Sequence, residues 1–444
     1  MQRNTTALAV ASAFLAMGLG SQAHASAFAL HEQGISGLGN AYAGAAAVAE
    51  DATTVWWNPA GMSRLPAGKH FALGAAYIMP STEFNNRASV PASLSNPALN
   101  GNGGDASDPA LVPSFFFAMD AAPRWNVGLG VSVPFGLSTK YDPNWIGRFQ
   151  GIESEVQTIN INPAVSFKLS DRASIGGGIS YQYGKVDLLS AVNYSAAAFS
   201  AGGAGALTAV GGAGVEGQNK TSVDGSAWGF NFGALFDVLP ATRVGVHYRS
   251  VLDYKLEGDT TFSNRPALLA AGLPDGNVKL ELQTPDSVAF SAVHELSPQW
   301  QLLADATWTH WSRIRQLPLV RTSGTQSGQA LDTLTFNFND VWRFSAGANY
   351  RVSQAIVLKV GIAHDKSPVP NADTRSVRLP DNDRTWYSVG AAFKVSRSGK
   401  LDVGYTFVDA KDADINNTQA GKGTVNGTYD AKVHVFGLQY QQTF

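Results

Sequence analysis

The sequence predicts an all-β protein, namely a transmembrane, up-and-down antiparallel β-barrel of about 14 strands with an N-terminal hatch, or plug, in its lumen. Three observations lead to this fold class. Segments in which apolar residues alternate with small or polar residues recur along the chain, and the connections between them alternate between short and long. Charged residues make up only 15% of the 444 residues, against roughly 25% in soluble proteins.

The first residues have the pattern of a cleavable signal peptide. Arg3 supplies the positive charge, Ala7–Leu19 is an apolar segment too short to span a bilayer, and Ala23-His24-Ala25 is a cleavage site of the small-x-small type. We therefore expect residues 1–25 to be removed on export, so that the mature protein begins at about Ser26.

Residues 26–66 are predicted to form the hatch, and residues 67–444 the barrel. The stretch Gly34–Met62 is rich in small residues, and its apolar positions follow neither the strand period nor the helix period. It ends on Asn58-Pro59-Ala60, where the proline lacks an N–H and disfavours a helical conformation in the residue before it. We interpret this stretch as a compact plug inside the barrel. The alternative is a poorly ordered N-terminal arm.

Four segments show the strand alternation most clearly, namely Lys69–Met79, Trp125–Phe135, Val341–Tyr350 and Lys400–Val408. In each of them, large apolar residues occupy one face and small or polar residues the other. A soluble sandwich would show the same alternation with its apolar face inward, so the connections must decide between the two folds.

Short and long connections alternate along the chain. The short, turn-rich connections lie near 121–124, 170–172, 239–242, 296–299, 353–354 and 396–399. The long connections are predicted at 80–111, 136–152, 190–225, 259–276, 315–331, 366–383 and 412–428. This arrangement predicts an even number of strands with tight periplasmic turns and long outer loops, as in the outer membrane of a Gram-negative bacterium.

Composition and motifs argue against several functional classes. The formal net charge of −2 gives no reason to expect nucleic acid as a partner, and the chain has no cysteine. His-Glu-x-x-His, Gly-x-Ser-x-Gly and phosphate-binding glycine motifs are absent from the sequence, so we expect no catalytic residues, no metal and no cofactor. A hydrolase with Ser, His and Asp on different strands is the enzyme alternative. We expect a monomer that is not an enzyme.

Several motifs together resemble the FadL family of outer-membrane channels for long-chain fatty acids and other hydrophobic compounds. The resemblance covers nearly the whole mature chain and rests on residues 36–44, 49–52, 58–60, 228–230, 248–250, 367–370 and 379–386. It implies a barrel of about 14 strands closed by an N-terminal hatch, in agreement with the strand count above.

The resemblance also implies a third strand that bends inward and leaves a gap in the wall. The third strand here carries Pro134, Phe135 and Gly136. Proline cannot donate to a strand ladder, and unpaired backbone is tolerated at membrane depth only where it lines a cavity or opening. We therefore expect these residues to line a lateral gap. The alternative is that Pro134 ends the strand at the outer rim.

Two long outer loops, 190–225 and 259–276, are apolar and are similar to the loops that form the family's first, low-affinity groove. A short helix is predicted at Pro266–Leu273, because proline stands at its start and glycine near its end. The candidate substrate contacts in these loops are Phe199, Leu207, Phe262, Leu268, Leu269 and Leu273. The alternative is that the two loops pack on one another as a lid.

Family members that carry fatty acids use basic groups in the lumen, which suits the binding of a carboxylate. The candidate lumenal contacts here are Phe28, Tyr181, Tyr183, Lys185 and Arg343. The segment Asp332–Phe338 departs from the family's basic set, because it contains no lysine. An uncharged ligand, such as an aromatic hydrocarbon or an alkane, is therefore the alternative to a fatty acid.

The outer loop 366–383 is dense in charge. Its charged residues include Arg375, Arg378, Asp381 and Asp383, with Arg384 just beyond it. We interpret this loop as a salt-bridged lid, and a set of lipopolysaccharide contacts is the alternative.

These features predict passive uptake of hydrophobic molecules. The ligand is captured by the outer loops, passes to a pocket beside the hatch, and leaves after a hatch movement through the third-strand gap. A general hydrophilic porin is the alternative from another class and requires an open lumen with rings of charge. The expected partners are hydrophobic small molecules, outer-membrane lipid, lipopolysaccharide and, because Phe444 ends an alternating strand, the outer-membrane assembly machinery.

Overall fold

The computed structural model describes residues 27–444, so the predicted signal peptide 1–25 and Ser26 lie outside the described residues. The strands form one sheet that closes on itself, because β1 pairs with both β2 and β20. The strands are β1 Lys69–Asn86, β2 Ala110–Ala122, β3 Trp125–Ser132, β4 Gly136–Lys140, β5 Glu153–Lys168, β6 Ala173–Asn193, β7 Glu216–Leu239, β8 Thr242–Arg249, β9 Asp253–Phe262, β10 Gly276–Gln283, β11 Ser287–Glu295, β12 Trp300–Thr309, β13 Gln316–Arg321, β14 Ala330–Thr335, β15 Val341–Arg351, β16 Ile356–Asp365, β17 Arg384–Lys394, β18 Gly399–Ala410, β19 Ala413–Gln419 and β20 Gly423–Thr443.

These segments form a closed antiparallel barrel of 14 strands, because six wall strands are each built from two consecutive segments. The two-segment strands are β3/β4, β8/β9, β10/β11, β12/β13, β14/β15 and β18/β19. The predicted fold class is therefore confirmed, and all six predicted short turns join neighbouring strands of the wall.

Residues 27–444 contain two helices of four residues each and one of 16 residues. The helices α1 Ala45–Val48 and α2 Thr54–Trp57 lie in the N-terminal part of the chain, and α3 Tyr194–Ala209 lies in an outer loop. The 3₁₀ turns are Leu38–Asn40, Pro59–Arg64, Ala267–Leu269 and Trp311–Arg313. Among residues 27–444, no helix is long and apolar enough to cross a membrane.

The two faces of each strand differ as the alternation predicts. On β15, Phe344 points outward and is 54% exposed, while its neighbours Arg343 and Ser345 point inward and are buried. Aromatic pairs such as Trp300 and Tyr350, whose ring centroids are 4.7 Å apart, lie on the outer face near the periplasmic turns. An apolar outer face with aromatic residues at its edge is typical of a wall in contact with lipid.

The strands continue further outward than the sequence predicts. The first strand was expected to end at Met79 but continues to Asn86, and β13 and β19 lie in segments predicted to be loops. The alternation changes character there, because the outward side chains are charged while the inward ones are apolar. On β9, Lys255 is exposed and Leu256 is buried.

The loop helix forms in a different place from the predicted one. The run Pro266–Leu273 contains only the short turn Ala267–Leu269, whereas the Ala- and Gly-rich loop forms the 16-residue helix α3. Helix α3 is kinked at Gly202 and Gly203, and Gly203 has a φ of 64°, which glycine adopts without strain.

Candidate functional site

The hatch segment, defined here as residues 27–66, is enclosed by the barrel wall. Asn58 holds its last turn in place, because its Oδ1 accepts a hydrogen bond from the Ala60 N–H at 3.1 Å. Its Nδ2 donates to the carbonyl of Ala46 within the hatch at 2.7 Å and to that of Ala234 on β7 at 3.1 Å. Asn58, Pro59 and Ala60 are all buried, so the motif joins the hatch segment to the wall.

Inward-facing glycines let the hatch backbone lie directly against the wall. A Cβ added at Gly361 on β16 would lie 2.1 Å from the carbonyl carbon of Asn40, and one at Gly245 on β8 would lie 2.0 Å from the Ala46 oxygen. We name these residues the glycine belt; its other members, each facing a hatch residue, are Gly74, Gly128, Gly176, Gly233, Gly347, Gly390, Gly404 and Gly437. Any larger side chain at these positions would separate hatch and wall.

A charge network, in which Lys359 and Asp402 are buried and Glu50 and Lys400 are partly exposed, joins the hatch segment to the wall near the periplasmic turns. Lys359 Nζ lies 2.8 Å from the Glu50 carboxylate of the hatch and 3.4 Å from the Asp402 carboxylate of β18. Lys400 Nζ lies 3.1 Å from Glu50. Burial alone would raise the pKa of Glu50, but Lys359 and Lys400 outweigh burial and lower this pKa to about 2.

The third strand is interrupted where the sequence predicts the gap. β3 ends at Ser132 and β4 begins at Gly136, and the last pair between β2 and β3 is Phe115 with Val131. Beyond that pair, among the described strand pairings, residues 110–114 of β2 have a partner only on the β1 side. The alternative in which Pro134 ends the strand at the rim is therefore wrong, because the strand resumes in β4.

The hatch segment satisfies the backbone at this interruption. The Leu30 N–H donates to the Pro134 oxygen at 2.8 Å, and the Gly136 N–H donates to the Phe28 oxygen at 2.9 Å. Gln33 Nε2 donates to the Val133 oxygen at 2.6 Å. Gly136 has no positive φ and is the first residue of β4.

Inward-facing apolar side chains pack together in the outer half of the lumen, and we name this lining the apolar chamber; the cavity among Phe28, Phe135 and Tyr254 has a volume of about 10 Å³. The Phe28 ring centroid lies 5.0 Å from that of Trp311 and 5.6 Å from that of Phe135, so the hatch segment contributes directly to its lining. Further buried residues of this cluster are Val186, Leu188, Val223, Tyr254, Leu256, Val278, Leu280, Leu282, Ile314, Leu319, Phe338 and Leu379. The position of Phe28 agrees with the prediction that it faces the lumen; its contact with a ligand stays a prediction.

A cavity of about 110 Å³ lies between the hatch segment and the wall, and Pro134 and Phe135 form part of its lining. Two arginines border it. Arg343 donates to the Ala41 oxygen at 2.8 Å, and Arg249 donates to the Trp56 oxygen at 2.9 Å. The Arg343 Nε is buried and has no hydrogen-bond partner among residues 27–444. The lumenal position predicted for Arg343 is thus observed.

Three other predicted lumenal residues lie on the wrong face. Tyr181, Tyr183 and Lys185 alternate on β6 with the buried Gln182 and Gly184, and their side chains point outward. Tyr183 is 39% exposed, and Lys185 forms a 2.7 Å ion pair with its neighbour Asp187. Tyrosine and lysine at this height suit the membrane interface, where a polar tip meets the head groups. Their assignment to the lumen is therefore wrong.

The two outer loops pack on one another, as the lid alternative describes. Leu269 is 6% exposed and lies in a cluster with Tyr194 and Ala198 of α3, with Leu273 at its edge. Leu268 is 56% exposed and Phe199 50% exposed, so these two residues are the apolar surface that the loops present. Leu207 and Phe262 are half-buried. Leu269 is therefore not available for first contact with a ligand.

The charged loop 366–383 is folded into the barrel mouth. The Asp381 carboxylate accepts hydrogen bonds from the Ala27 N–H at 3.0 Å and from Ser367 Oγ at 2.8 Å, and it pairs with Arg384. Arg378 donates to Ser154 on β5 at 2.7 Å, and burial lowers its pKa to about 10. These contacts support the interpretation as a salt-bridged lid.

Sequence reasoning missed two features of this site. Arg249 stands in the motif 248–250, which supported the family resemblance, but nothing in the sequence shows that it stacks on Trp56, 3.4 Å from the ring centroid. The glycine belt was visible only as the small residues opposite the large ones on each strand. Both features are visible in the sequence as residue types, but their role depends on which hatch residue lies opposite them in the folded protein.

A closed barrel whose lumen holds a hatch segment and an apolar chamber defines a transport channel of the bacterial outer membrane. Residues 16–444 match the family model described as outer membrane protein transport protein (OMPP1/FadL/TodX), and the chain belongs to this family. It is an outer-membrane transport protein, and its apolar chamber suits hydrophobic compounds.

Individual relatives agree with this assignment. The chain is 28% identical over 456 residues to the long-chain fatty acid transport protein of Escherichia coli O6:H1, covering 99% of this chain and 98% of that protein. It is 28% identical over 469 residues to outer membrane protein P1 of Haemophilus influenzae, covering 99% of each chain.

Solved structures share the fold. A FadL homologue of Pseudomonas aeruginosa superposes with a TM-score of 0.84 at 23% identity, covering 94% of this chain and 100% of that one. The toluene transporter TbuX of Ralstonia pickettii superposes with a TM-score of 0.67 at 18% identity, with the same coverage of both chains.

Proposed function

We propose that this protein is a channel for passive uptake of long-chain fatty acids or similar hydrophobic molecules. The observation that carries the proposal is the apolar chamber, which continues through Phe28 and Phe135 to the interruption of the third strand. The relative from Escherichia coli is named for long-chain fatty acids, and the structure from Ralstonia pickettii for toluene. The ligand class therefore includes acids and hydrocarbons.

Capture begins at the outer loops. Leu268 and Phe199 expose apolar surface there, and a chain that buries its methylenes gains up to ~0.8 kcal/mol for each. The gain at a small exposed patch is modest, so the ligand can leave this first site and enter the chamber.

An acid ligand has basic partners at the cavity beside the hatch segment. Arg343 and Arg249 both border it, and the unpartnered Arg343 Nε is an additional donor for a carboxylate. A hydrocarbon needs only the apolar chamber. Fatty acids remain our first choice and aromatic hydrocarbons or alkanes the alternative, because the arginine pair gives an acid an additional interaction.

We propose that the ligand leaves the barrel sideways, through the wall beside β2. Residues 28–33 hold the interrupted third strand through three hydrogen bonds, so a shift of this part of the hatch segment would free the opening beside β2. A long apolar ligand that entered the aqueous periplasm would forfeit its burial energy, whereas the membrane preserves it.

Restoring a continuous third strand tests this exit. Pro134→Val together with Gly136→Val is expected to slow uptake of a labelled fatty acid several-fold while binding to the outer loops persists, because the β-branched strand can pair past the interruption. Uptake is measured in cells and normalised to surface-exposed protein. The matched control is Pro163→Val with Gly177→Val, at outward positions of β5 and β6. Wild-type uptake in the first variant would require exit past the hatch.

A general porin is disfavoured because the hatch segment fills the lumen and its backbone lies directly against the glycines of the wall. Purified protein is expected to show little steady ion conductance in planar bilayers, and deletion of residues 26–61 should produce a barrel that inserts and leaks small solutes. Large, steady channels in the full-length protein would favour the porin, and a tight truncated barrel would contradict the plug.

Outer-membrane lipid, lipopolysaccharide and the outer-membrane assembly machinery are the further partners we propose. The outward aromatic residues suit lipid contact, and the pair Lys185 and Asp187 lies at a height where lipid head groups would meet it. Phe444 is 73% exposed, so its side chain is accessible for recognition.

A further inference from the structure

A row of polar side chains crosses the inner face of the wall beside the third-strand opening. Ser132 on β3 lies directly opposite Asn160 on β5, and Asn160 lies directly opposite Gln182 on β6. The last pair of β2 and β3 is Phe115 with Val131, so the next residue of β2 toward the opening is Ser114. We name Ser114, Ser132, Asn160 and Gln182 the polar row; side chains opposite one another on paired strands are ~5 Å apart.

The polar row is buried and lacks hydrogen-bond partners. Each of its four side chains is 1% exposed. Within the described chain, no partner is found for the two serine hydroxyls or for either amide atom of Asn160, and Gln182 Nε2 and the Tyr254 hydroxyl have no partner other than each other. Buried polar groups in native proteins are nearly always hydrogen-bonded, and a buried group without a partner destabilises the protein. Four neighbouring polar side chains of this kind therefore indicate a binding site for a polar ligand.

The backbone immediately above the row, in contrast, has hydrogen-bond partners. Thr158 Oγ1 accepts a hydrogen bond from the Phe135 N–H at 3.0 Å and lies 2.7 Å from the Phe135 oxygen. The neighbouring backbone groups of Val133, Pro134 and Gly136 are bonded to residues 28–33. The interrupted strand is thus satisfied from within the protein, whereas the polar row is not.

The position and the chemistry of the polar row together identify the class of ligand. The row begins where the β2–β3 ladder ends, so it forms the lower edge of the lateral opening, and the apolar chamber borders it from above through Phe135. The row holds hydroxyl and amide groups and no charge. An ionised head group buried against such neutral groups would be costly, whereas a hydroxyl, a carbonyl or a protonated carboxylic acid forms ordinary hydrogen bonds.

We propose that the polar row binds the uncharged, hydrogen-bonding head group of a single-headed lipid, such as a fatty alcohol or a protonated fatty acid, while its chain enters the membrane through the opening. This inference rests on the lateral exit proposed above. The polar row would distinguish between two kinds of ligand, because an alcohol or an acid gains hydrogen bonds at the exit and a hydrocarbon gains none.

The test compares two labelled probes of equal chain length, 1-dodecanol and dodecane, in cells that carry wild-type protein, the variants or empty vector. Asn160→Leu removes both unpartnered amide atoms and is expected to slow dodecanol uptake about tenfold relative to dodecane, since one to two hydrogen bonds are lost. Ser132→Ala is the smaller change and should act in the same direction by about threefold. The matched control Ser345→Ala removes a buried, unpartnered hydroxyl from β15 and should change neither rate.

The outcomes separate the two proposals. If wild-type cells take up neither probe faster than empty-vector cells, the proposed function fails. If wild-type cells take up both probes and Ser132→Ala and Asn160→Leu leave their ratio unchanged, the channel stands and the polar row holds only water. If Asn160→Leu does not fold, as judged by heat-modifiable gel mobility, the ratio measured for Ser132→Ala decides alone.

Discussion

The two ends of the hatch segment are attached to the wall in different ways, and their glutamates show the difference. Glu50 lies between Lys359 and Lys400, and these lysines lower its pKa to about 2 against the opposing effect of burial. Glu32 is 3% exposed, its Oε2 has no hydrogen-bond partner in the described chain, and burial raises its pKa to about 7. One end is held by ion pairs and the other carries a poorly solvated carboxyl.

The difference is our basis for proposing which part of the hatch segment moves. Around most of the wall its backbone lies against the glycine belt, and separation there would open voids and break the ion pairs of Glu50 with Lys359 and Lys400. Residues 28–33 are attached to the third strand by three hydrogen bonds, each worth about 1 kcal/mol, and by the packing of Phe28 on Phe135, without glycine-belt contacts or ion pairs of the Glu50 kind among the described residues. We therefore place the predicted hatch movement in residues 28–33.

The largest effect is expected from Lys359→Met, which breaks the rigid end. Glu50 and Asp402 would then face each other with only Lys400 between them, and breaking a buried ion pair in this way costs about 3–5 kcal/mol. We expect the hatch to lose its seat and the barrel to conduct ions in planar bilayers. Lys394→Met, at an exposed position of β17, is the control. A tight Lys359→Met protein would mean that the glycine belt alone seats the hatch.

A smaller effect is expected from pH at the other end. Because the pKa of Glu32 is raised to about 7 from 4.5, its protonated form stabilises the seated hatch; this contribution is fully present below about pH 4.5 and lost as the pH rises through 7. The loss amounts to about 3 kcal/mol and should favour release of residues 28–33. The measurement is the free energy of local opening from amide exchange, corrected for the intrinsic pH dependence. Glu32→Gln should remove the slope, and an unchanged slope would assign it to another group.

The smallest of these effects is expected from Gly361→Ala, which tests the contact between the hatch backbone and the glycine belt. The added methyl would lie 2.1 Å from the carbonyl carbon of Asn40, and overpacking of this kind costs about 1–3 kcal/mol. Thermal stability in detergent should fall accordingly. Gly177→Ala on β6, whose nearest contact is 3.2 Å, is the matched control. Equal losses in both variants would show that the cost arises from strand propensity and not from hatch contact.

The sequence pattern alone was enough for the fold class, the strand number and the short turns, and the family resemblance together with Pro134 pointed to the interruption of the third strand. These features are local: a period of 2 marks a wall strand, and Pro134 removes a ladder donor wherever the strand lies. Strand ends were less predictable. Beyond the membrane the outer face becomes charged, as at Lys255, so the apolar alternation that marks a strand within lipid disappears while the pairing continues.

The tertiary structure alone decided which face of a strand meets the lumen and what lies opposite each inward residue. A shift of one residue moves every side chain to the other face, and this is why Tyr181, Tyr183 and Lys185 were assigned to the lumen although they point outward. The register of β3, β5 and β6 likewise brings Ser132, Asn160 and Gln182 into one row, although they are far apart in sequence. Period 2 determines that two faces exist; only closure of the barrel around the hatch determines which of them is inside.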